Sequence, residues 1–368
     1  MKKSIIIVAI VFLLTLIIII IISYYYYVQY QKISNSHFDD SAQPAVELKE
    51  LDILAGYWEG AGEVFENPNT EATQWTSKVH NKKVFGNHYL QTIEHKSIDN
   101  KVQLSTFAFI SWDWGDHQYK KMFVNNASNG SKFETMYFLD DKSFLEQYSR
   151  IDENGRVIID QVITKPSDNN YTVIIKRSIN GSPAFIYSKG TYTRTNQPNM
   201  PQDLESIKDI NSLIPLAEGS KWLANMMGGK YKAKAKVESY NFNVNETSTP
   251  VLGGNAVVTD YFFEGDDDFT GYNVMTWNEE KQRITGFMLD NRGIAVEFEG
   301  VPNTSRTKVI IVLKTILRNT AEVERWIWDV DEEKGMVKSM SHVIHGTSDP
   351  VKKITFTFKK IVDFKNVK

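Results

Sequence analysis

The chain has 368 residues, a formal net charge of −3 and no cysteine. That length accommodates two ordinary domains beside an anchoring segment. The near-balanced charge removes a global basic field for nucleic acid, and the missing cysteines exclude a disulfide scaffold, a thiolate metal site and a cysteine nucleophile.

After Met1-Lys2-Lys3-Ser4, the run from Ile5 to Ile22 has no charge and one polar residue, Thr15. As a helix rising about 1.5 Å per residue it spans about 27 Å, close to the hydrocarbon thickness of a bilayer. Tyr24 to Tyr27 and Tyr30 then form an aromatic belt, and Lys2 and Lys3 favour a cytoplasmic N-terminus. A cleaved signal peptide is the rival reading. It calls for a shorter apolar core and an early small-x-small site, whereas Ser41-Ala42 lies far downstream. Residues 1–30 are therefore expected to be an uncleaved signal anchor, with the membrane as a partner and the rest of the chain periplasmic or extracellular. The polar residues 31–45, ending near Pro44, read as a tether.

A first domain is expected over 46–195. Leu48, Leu51, Ile53 and Leu54 form the apolar face of a short helix that stops at Gly56. Strands are expected near 56–65, 75–85, 88–96, 103–111, 119–125, 132–138, 144–151, 156–164, 170–177 and 184–195. Aromatic and β-branched residues fill them, and Asp152-Glu153-Asn154-Gly155 and Asn180-Gly181 supply tight turns. Short strands in even succession imply an antiparallel meander, either a closed barrel or a sandwich, and closure removes exposed edges.

Residues 196–202 read as a linker, and the plan repeats over 203–368. "GYWEGAGEV" (56–64) lies over "GKYKAKAKV" (229–237), "VFGNHYL" (84–90) over "VLGGNAV" (251–257) and "FISWD" (109–113) over "VMTWN" (274–278). "MFVNN" (122–126) lies over "FMLDN" (287–291), and "KGTYT" (189–193) over "KITFT" (353–357). Matches in the same order at similar spacing indicate a tandem duplication. Trp222, Leu223, Met226 and Met227 before Gly228-Gly229 repeat the leading helix. Strand alternation places Lys230, Lys232, Lys234 and Lys236 on one face and Tyr231, Ala233, Ala235 and Val237 on the other. The first copy has Glu59, Ala61 and Glu63 where the lysines stand, so the lysines read as a solvated exterior. The inward residues are a large aromatic followed by small ones, Trp58, Gly60 and Gly62 in one copy and Tyr231, Ala233 and Ala235 in the other. Small inward residues either let the strand bend or leave room in a lumen.

A helix, Gly-x-Trp at the opening of strand one, and a meander ending in an aromatic strand resemble the lipocalin-like (calycin) superfamily. "GYWEGAG" looks like the Gly-x-Trp-x-Gly-x-Gly start of an uncharacterised bacterial lipocalin-like family, with Phe85-Gly86 and Leu252-Gly253 similar to a following Leu-Gly-Gly-like segment. The chain is also distantly similar to nitrobindin-type barrels. The resemblance covers most of 50–362 and implies an all-β fold: two tandem antiparallel lipocalin-like barrels of eight to ten strands after a transmembrane helix. It further implies that Trp58 closes the barrel floor beneath a late cation. Arg194 would fill that role, while the second copy, with Tyr231 below and Phe358 at the aligned position, would lose the pairing.

Other chemistry is thin. A haem reading needs an inward histidine late in a copy; "FIYSKGTYTRT" has none, and His342 and His345, three apart, face opposite sides of a strand. His88 and His95, on one candidate strand, also point apart. "EGDDD" (264–268) lacks calcium-loop spacing and reads as a turn. Asp113, Asp116 and His117 share one turn that becomes a plain hairpin in the second copy. No catalytic residue, metal site or cofactor is expected. Trp112 and Trp277, shared by both copies, are the common aromatic candidates for a ligand wall, with Gly60, Gly62, Ala233 and Ala235 lining the lumen. The expected function is non-catalytic binding of a small apolar or amphipathic molecule, with no nucleic acid as partner. An envelope structural or protein-interaction module with filled barrels is the alternative. Polar groups converging inside one barrel would favour an enzyme.

Overall fold

Ten strands run from β1 (Gly56–Val64) through β2 (Thr73–Val84), β3 (Tyr89–Ile98), β4 (Lys101–Asp113), β5 (Gln118–Asn125), β6 (Lys132–Phe138), β7 (Phe144–Ile151), β8 (Val157–Pro166) and β9 (Asn170–Ile179) to β10 (Phe185–Thr195). Each pairs antiparallel with its neighbours, and β10 closes on β1. A second closed barrel runs from β11 (Gly229–Val237) through β12 (Tyr240–Val251), β13 (Ala256–Glu264), β14 (Thr270–Asn278), β15 (Arg283–Asp290), β16 (Ala295–Pro302), β17 (Lys308–Thr315), β18 (Glu322–Asp331) and β19 (Gly335–His345) to β20 (Val351–Asp363). The tandem duplication and all-β fold are thus present in the architecture.

This computed structural model describes residues 44–99, 101–113, 116–128, 130–139, 142–152, 154–196, 201, 203–237, 240–264, 269–315, 322–345 and 351–364. The expected signal anchor, most of the tether and all of "EGDDD" except Glu264 lie outside them. Among the described residues no helix is long and apolar enough to cross a membrane.

One end of each barrel is plugged by the helix preceding it. In the first this is a 3-10 helix, Val46–Leu54, burying Leu48, Leu51 and Leu54. Apolar residues every third position suit the three-residue turn of a 3-10 helix better than an α-helix. In the second it is an α-helix, Glu218–Met227, whose Gly219 backs directly onto the Trp277 ring. On β11 Lys230, Lys232, Lys234 and Lys236 are exposed, while Tyr231, Ala233 and Ala235 are buried.

The two barrels dock through outer faces of equivalent strands, β3–β5 against β13–β15. Tyr89, Ile93, Phe107, Phe109 and Met122 share one buried cluster with Leu252, Val274, Phe287 and Leu289. Phe85 meets Tyr272 edge-on at 5.2 Å, and Phe109 meets Phe287 at 6.1 Å. Asn255 Nδ2 donates to the carbonyls of Asn125 (2.9 Å) and Ser128 (2.7 Å). The segment after the expected linker also packs in: Ile207, on the short helix Glu205–Lys208, is fully buried in the same cluster. Burial on both faces explains the near-continuous apolar run Phe107-Ala108-Phe109-Ile110 in β4.

Candidate functional site: the lumen of the first barrel

At the plugged end, Trp58 is fully buried and its Nε1 donates to the Leu54 carbonyl at 2.8 Å. Arg194, its register partner across β1 and β10, stacks over the indole with Cζ 4.2 Å from the ring centroid. Its guanidinium also donates to the Ala55 carbonyl (2.6 Å) and the Ile53 carbonyl (3.0 Å). Gly56, at φ +122°, leaves its Cβ position to that guanidinium, which is why a glycine opens the strand.

The second copy differs from its sequence expectation here. In the continuous β11–β20 register Tyr231 faces Lys360 and Ala233 faces Phe358, and a bulge follows only beyond them, between Lys230 and Tyr231. Phe358 therefore corresponds to Tyr192, and the "KGTYT"/"KITFT" correspondence is displaced by two residues. The cation over the floor aromatic is retained as Lys360, whose Nζ lies 5.3 Å from the Tyr231 ring. Tyr231 OH donates to the Met226 carbonyl at 2.8 Å.

Gly60 and Gly62 do not leave space in the lumen. The Tyr192 ring lies over Gly60 and the Trp75 ring over Gly62. Ala233 and Ala235 face Phe358 and Phe356 in register. Trp112 and Trp277 sit at the plugged ends, away from the opposite mouths. Trp112 packs edge-on against Tyr119 at 5.0 Å with its Nε1 buried and unpartnered. Trp277 Nε1 donates to Glu279 at 2.8 Å. His95 lies on the outer face of β3, with Nδ1 2.8 Å from Ser105 Oγ; His88 precedes the strand. Asp113 and Asp116 lie 3.9 and 3.1 Å from Lys120. A solvent-open groove of about 890 Å³ crosses the outer face of β10, β1, β2 and β3, past Glu59, Lys78 and His95.

The chemistry lies above the floor and was not read from the sequence. Register places Glu94 and Lys96 (β3), Lys121 (β5), Glu134 (β6), Glu146 and Tyr148 (β7), Asp160 (β8) and Arg177 (β9) on the inward faces of their strands. Lys121 Nζ binds Glu146 Oε2 at 2.7 Å. Burial alone would lower the Lys121 pKa, but Glu146, Glu134 and Glu94 outweigh it and hold the ammonium above its usual value. Glu134 shifts the other way. Its burial, with the Glu146 carboxylate as hydrogen-bond partner, outweighs the pull of Lys121 and pushes the carboxyl up to about 8. The acid therefore keeps its proton at neutral pH and donates it toward Glu146.

Beside this trio, Glu94 Oε1 accepts from Ser77 Oγ (2.8 Å) and Tyr192 OH (3.0 Å). Burial lowers the Lys96 pKa against the opposing pull of Glu94, and its Nζ lies 4.0 Å from the Trp75 ring centroid. Nearer the mouth, fully buried Asp160 takes Arg177 on both oxygens at 2.7 Å and Arg150 at 3.0 Å. The inward residues of the upper lumen, Leu104, Val162, Val173 and Ile175, are half-buried. The result is an aromatic floor, a charged middle layer and an aliphatic rim. A barrel mouth with convergent polar groups and shifted pKa values is a common form of small-molecule site.

The molecule is thus a tandem pair of closed ten-stranded barrels, one with a charged lumen. Residues 43–178 match the model of a family described as "Protein of unknown function (DUF1579)". Comparison with curated proteins gives no match. Among solved structures, Rv2717c from M. tuberculosis is similar at 13% identity, covering 42% of this chain and 100% of its own, with a TM-score of 0.31. A protein of unknown function from the DUF3598 family of Nostoc punctiforme is similar at 9% identity, covering 86% of this chain and 100% of its own, with a TM-score of 0.27.

Proposed function

We propose that this is a membrane-anchored, extracytoplasmic binding protein whose first barrel, lipocalin-like in plan, holds a small amphipathic molecule without transforming it. The observation that carries this reading is the Lys121–Glu134–Glu146 layer, placed midway between an aromatic floor and an aliphatic rim. A ligand entering from the unplugged end would lay its apolar part along Val162, Val173 and Ile175. Its polar head would meet a donor-acceptor set: an ammonium, a protonated carboxyl and a carboxylate. The Trp58–Arg194 floor pair supports the lipocalin-like assignment, and the apolar run from Ile5 to Ile22 supports the anchor.

Native mass spectrometry of the full chain, extracted gently in detergent from its own cells, tests the reading. An added mass lost on denaturation, and absent from Lys121→Met, is the expected result. Bare wild-type protein would instead favour an envelope interaction module. A lumenal enzyme is the second reading, favoured by a proton held on Glu134 beside a carboxylate. Conversion of the captured molecule by wild-type protein but not by Glu134→Gln would select it.

A further inference from the structure

We infer that the second barrel has its own binding site, a lumenal cage for a small organic cation formed by the Glu246 carboxylate and five aromatic rings. Glu246, on β12, faces inward between Tyr231 on β11 and Tyr261 on β13. The rings continue from one tyrosine to the other over one wall of the lumen, on β11, β20 and β13. Tyr231 contacts Phe358 (6.3 Å), Phe358 contacts Phe356 (5.9 Å), Phe356 contacts Phe263 (6.1 Å) and Phe263 contacts Tyr261 (6.1 Å). Glu246 interrupts this belt on β12, where Ala233 and Val244 keep the neighbouring wall small.

The carboxylate has no ion pair or hydrogen bond among the described residues. Lys360 is directed at Asp363, 3.3 Å away, and Arg292 pairs with Asp290 at 3.3 Å. Burial pushes the Glu246 carboxyl up to about 7, as expected for an anion taken from water without a counter-charge. Other inward polar atoms are also unsatisfied: Asn273 Oδ1 on β14, and the hydroxyls of Ser339 and Ser341 on β19, both serines fully or almost fully buried. A carboxylate flanked by aromatic faces suits an ammonium, which gains a counter-ion and cation–π contacts together. In the first barrel Val79 occupies the position of Glu246 and Glu94 that of Tyr261, so this arrangement belongs to the second copy alone.

Isothermal titration calorimetry of the full chain in detergent, with choline as probe, tests the site. Choline is expected to bind, and its uncharged isostere 3,3-dimethyl-1-butanol to bind at least about tenfold more weakly, since ring faces and a carboxylate reward the positive charge. Glu246→Gln, which keeps the side-chain shape, should weaken choline by a similar factor without lowering the melting temperature. Phe358→Leu should weaken it less, and Lys121→Met in the first barrel should leave it unaltered. No choline binding, or equal binding by the isostere or by Glu246→Gln, would overturn the inference without touching the proposal for the first barrel.

Discussion

The two barrels share a backbone plan and differ in what fills it. Where the first has Glu94, Lys96, Lys121, Glu134 and Glu146 around its middle, the register gives the second Tyr261, Phe263, Gly286, Phe298 and Ile311. One copy fills its lumen with charges that largely satisfy one another; the other uses rings and leaves the Glu246 carboxylate without a partner among the described residues. A closed ten-stranded barrel therefore tolerates either interior, provided the floor is kept. Both floors consist of a plugging helix, a buried aromatic bonded to the carbonyl of that helix, and a cation above the ring. Duplication left the floor intact and allowed the middle layer to diverge.

The largest expected effect breaks the charge balance of the first lumen. Asp160→Ala leaves Arg177 enclosed without its bidentate partner and should lower stability in urea unfolding by about 3 kcal/mol. Arg150 contributes less, being 43% exposed. Glu324→Ala, at the corresponding position of the second barrel, should cost under about 1 kcal/mol, because Glu324 is only half-buried where Asp160 is fully buried. Equal losses would show that the two interiors are not energetically distinct.

The floors should respond in the same direction by different amounts. Arg194→Ala removes the stacking on Trp58 and two donors to carbonyls, and should cost about 2 kcal/mol. Lys360→Ala removes a more distant cation over Tyr231, a half-exposed ion pair and the packing of a mostly buried stem, and should cost about 1 kcal/mol. Thermal melting of the two variants side by side measures the difference.

A smaller net change is expected from making the first interior resemble the second. Lys121→Met alone leaves Glu146 buried beside Glu134 without its cation. The joint replacement Lys121→Gly, Glu134→Phe and Glu146→Ile copies the second barrel and should recover stability to within about 1 kcal/mol of wild type. That protein should have lost the captured mass, which separates binding from folding. Retention of cargo by the triple variant would place the ligand elsewhere.

The finest comparison is in pH. Glu134, with its folded pKa raised to about 8, binds its proton more tightly when folded than unfolded. Its contribution is present at low pH and is lost as pH rises from about 5 through about 8. Glu246 has the same sign, with a window that closes near 7. Urea unfolding across this range should show stability falling with pH, less steeply in Glu134→Gln and in Glu246→Gln. An unchanged slope in Glu134→Gln would remove the proton from that carboxyl.

Much of the fold was legible locally. The strand segments were bounded by turn residues such as Asn180-Gly181, and the repeat was visible in matched short motifs. The charged lumen was not. In β5, Met122 and Val124 form the more apolar face, and alternation would assign that face to a lumen. In the folded protein they face the other barrel, while Lys121 points inward. A lysine between apolar residues has the same pattern whether water or an enclosed glutamate awaits it.

By itself, then, the sequence determined the strands, the turns, the duplication and the aromatic-then-small inner face of β1 and β11, because these follow from local backbone preference and a two-residue period. The tertiary structure alone decided which face of β3–β5 lies inside, that Lys360 replaces Arg194 over the floor, and that Glu246 stands among aromatic rings. Each depends on barrel closure, on the register of a pairing more than 120 residues apart in the chain, or on the docking of two barrels. Alternation along one strand distinguishes two faces but does not say what covers either.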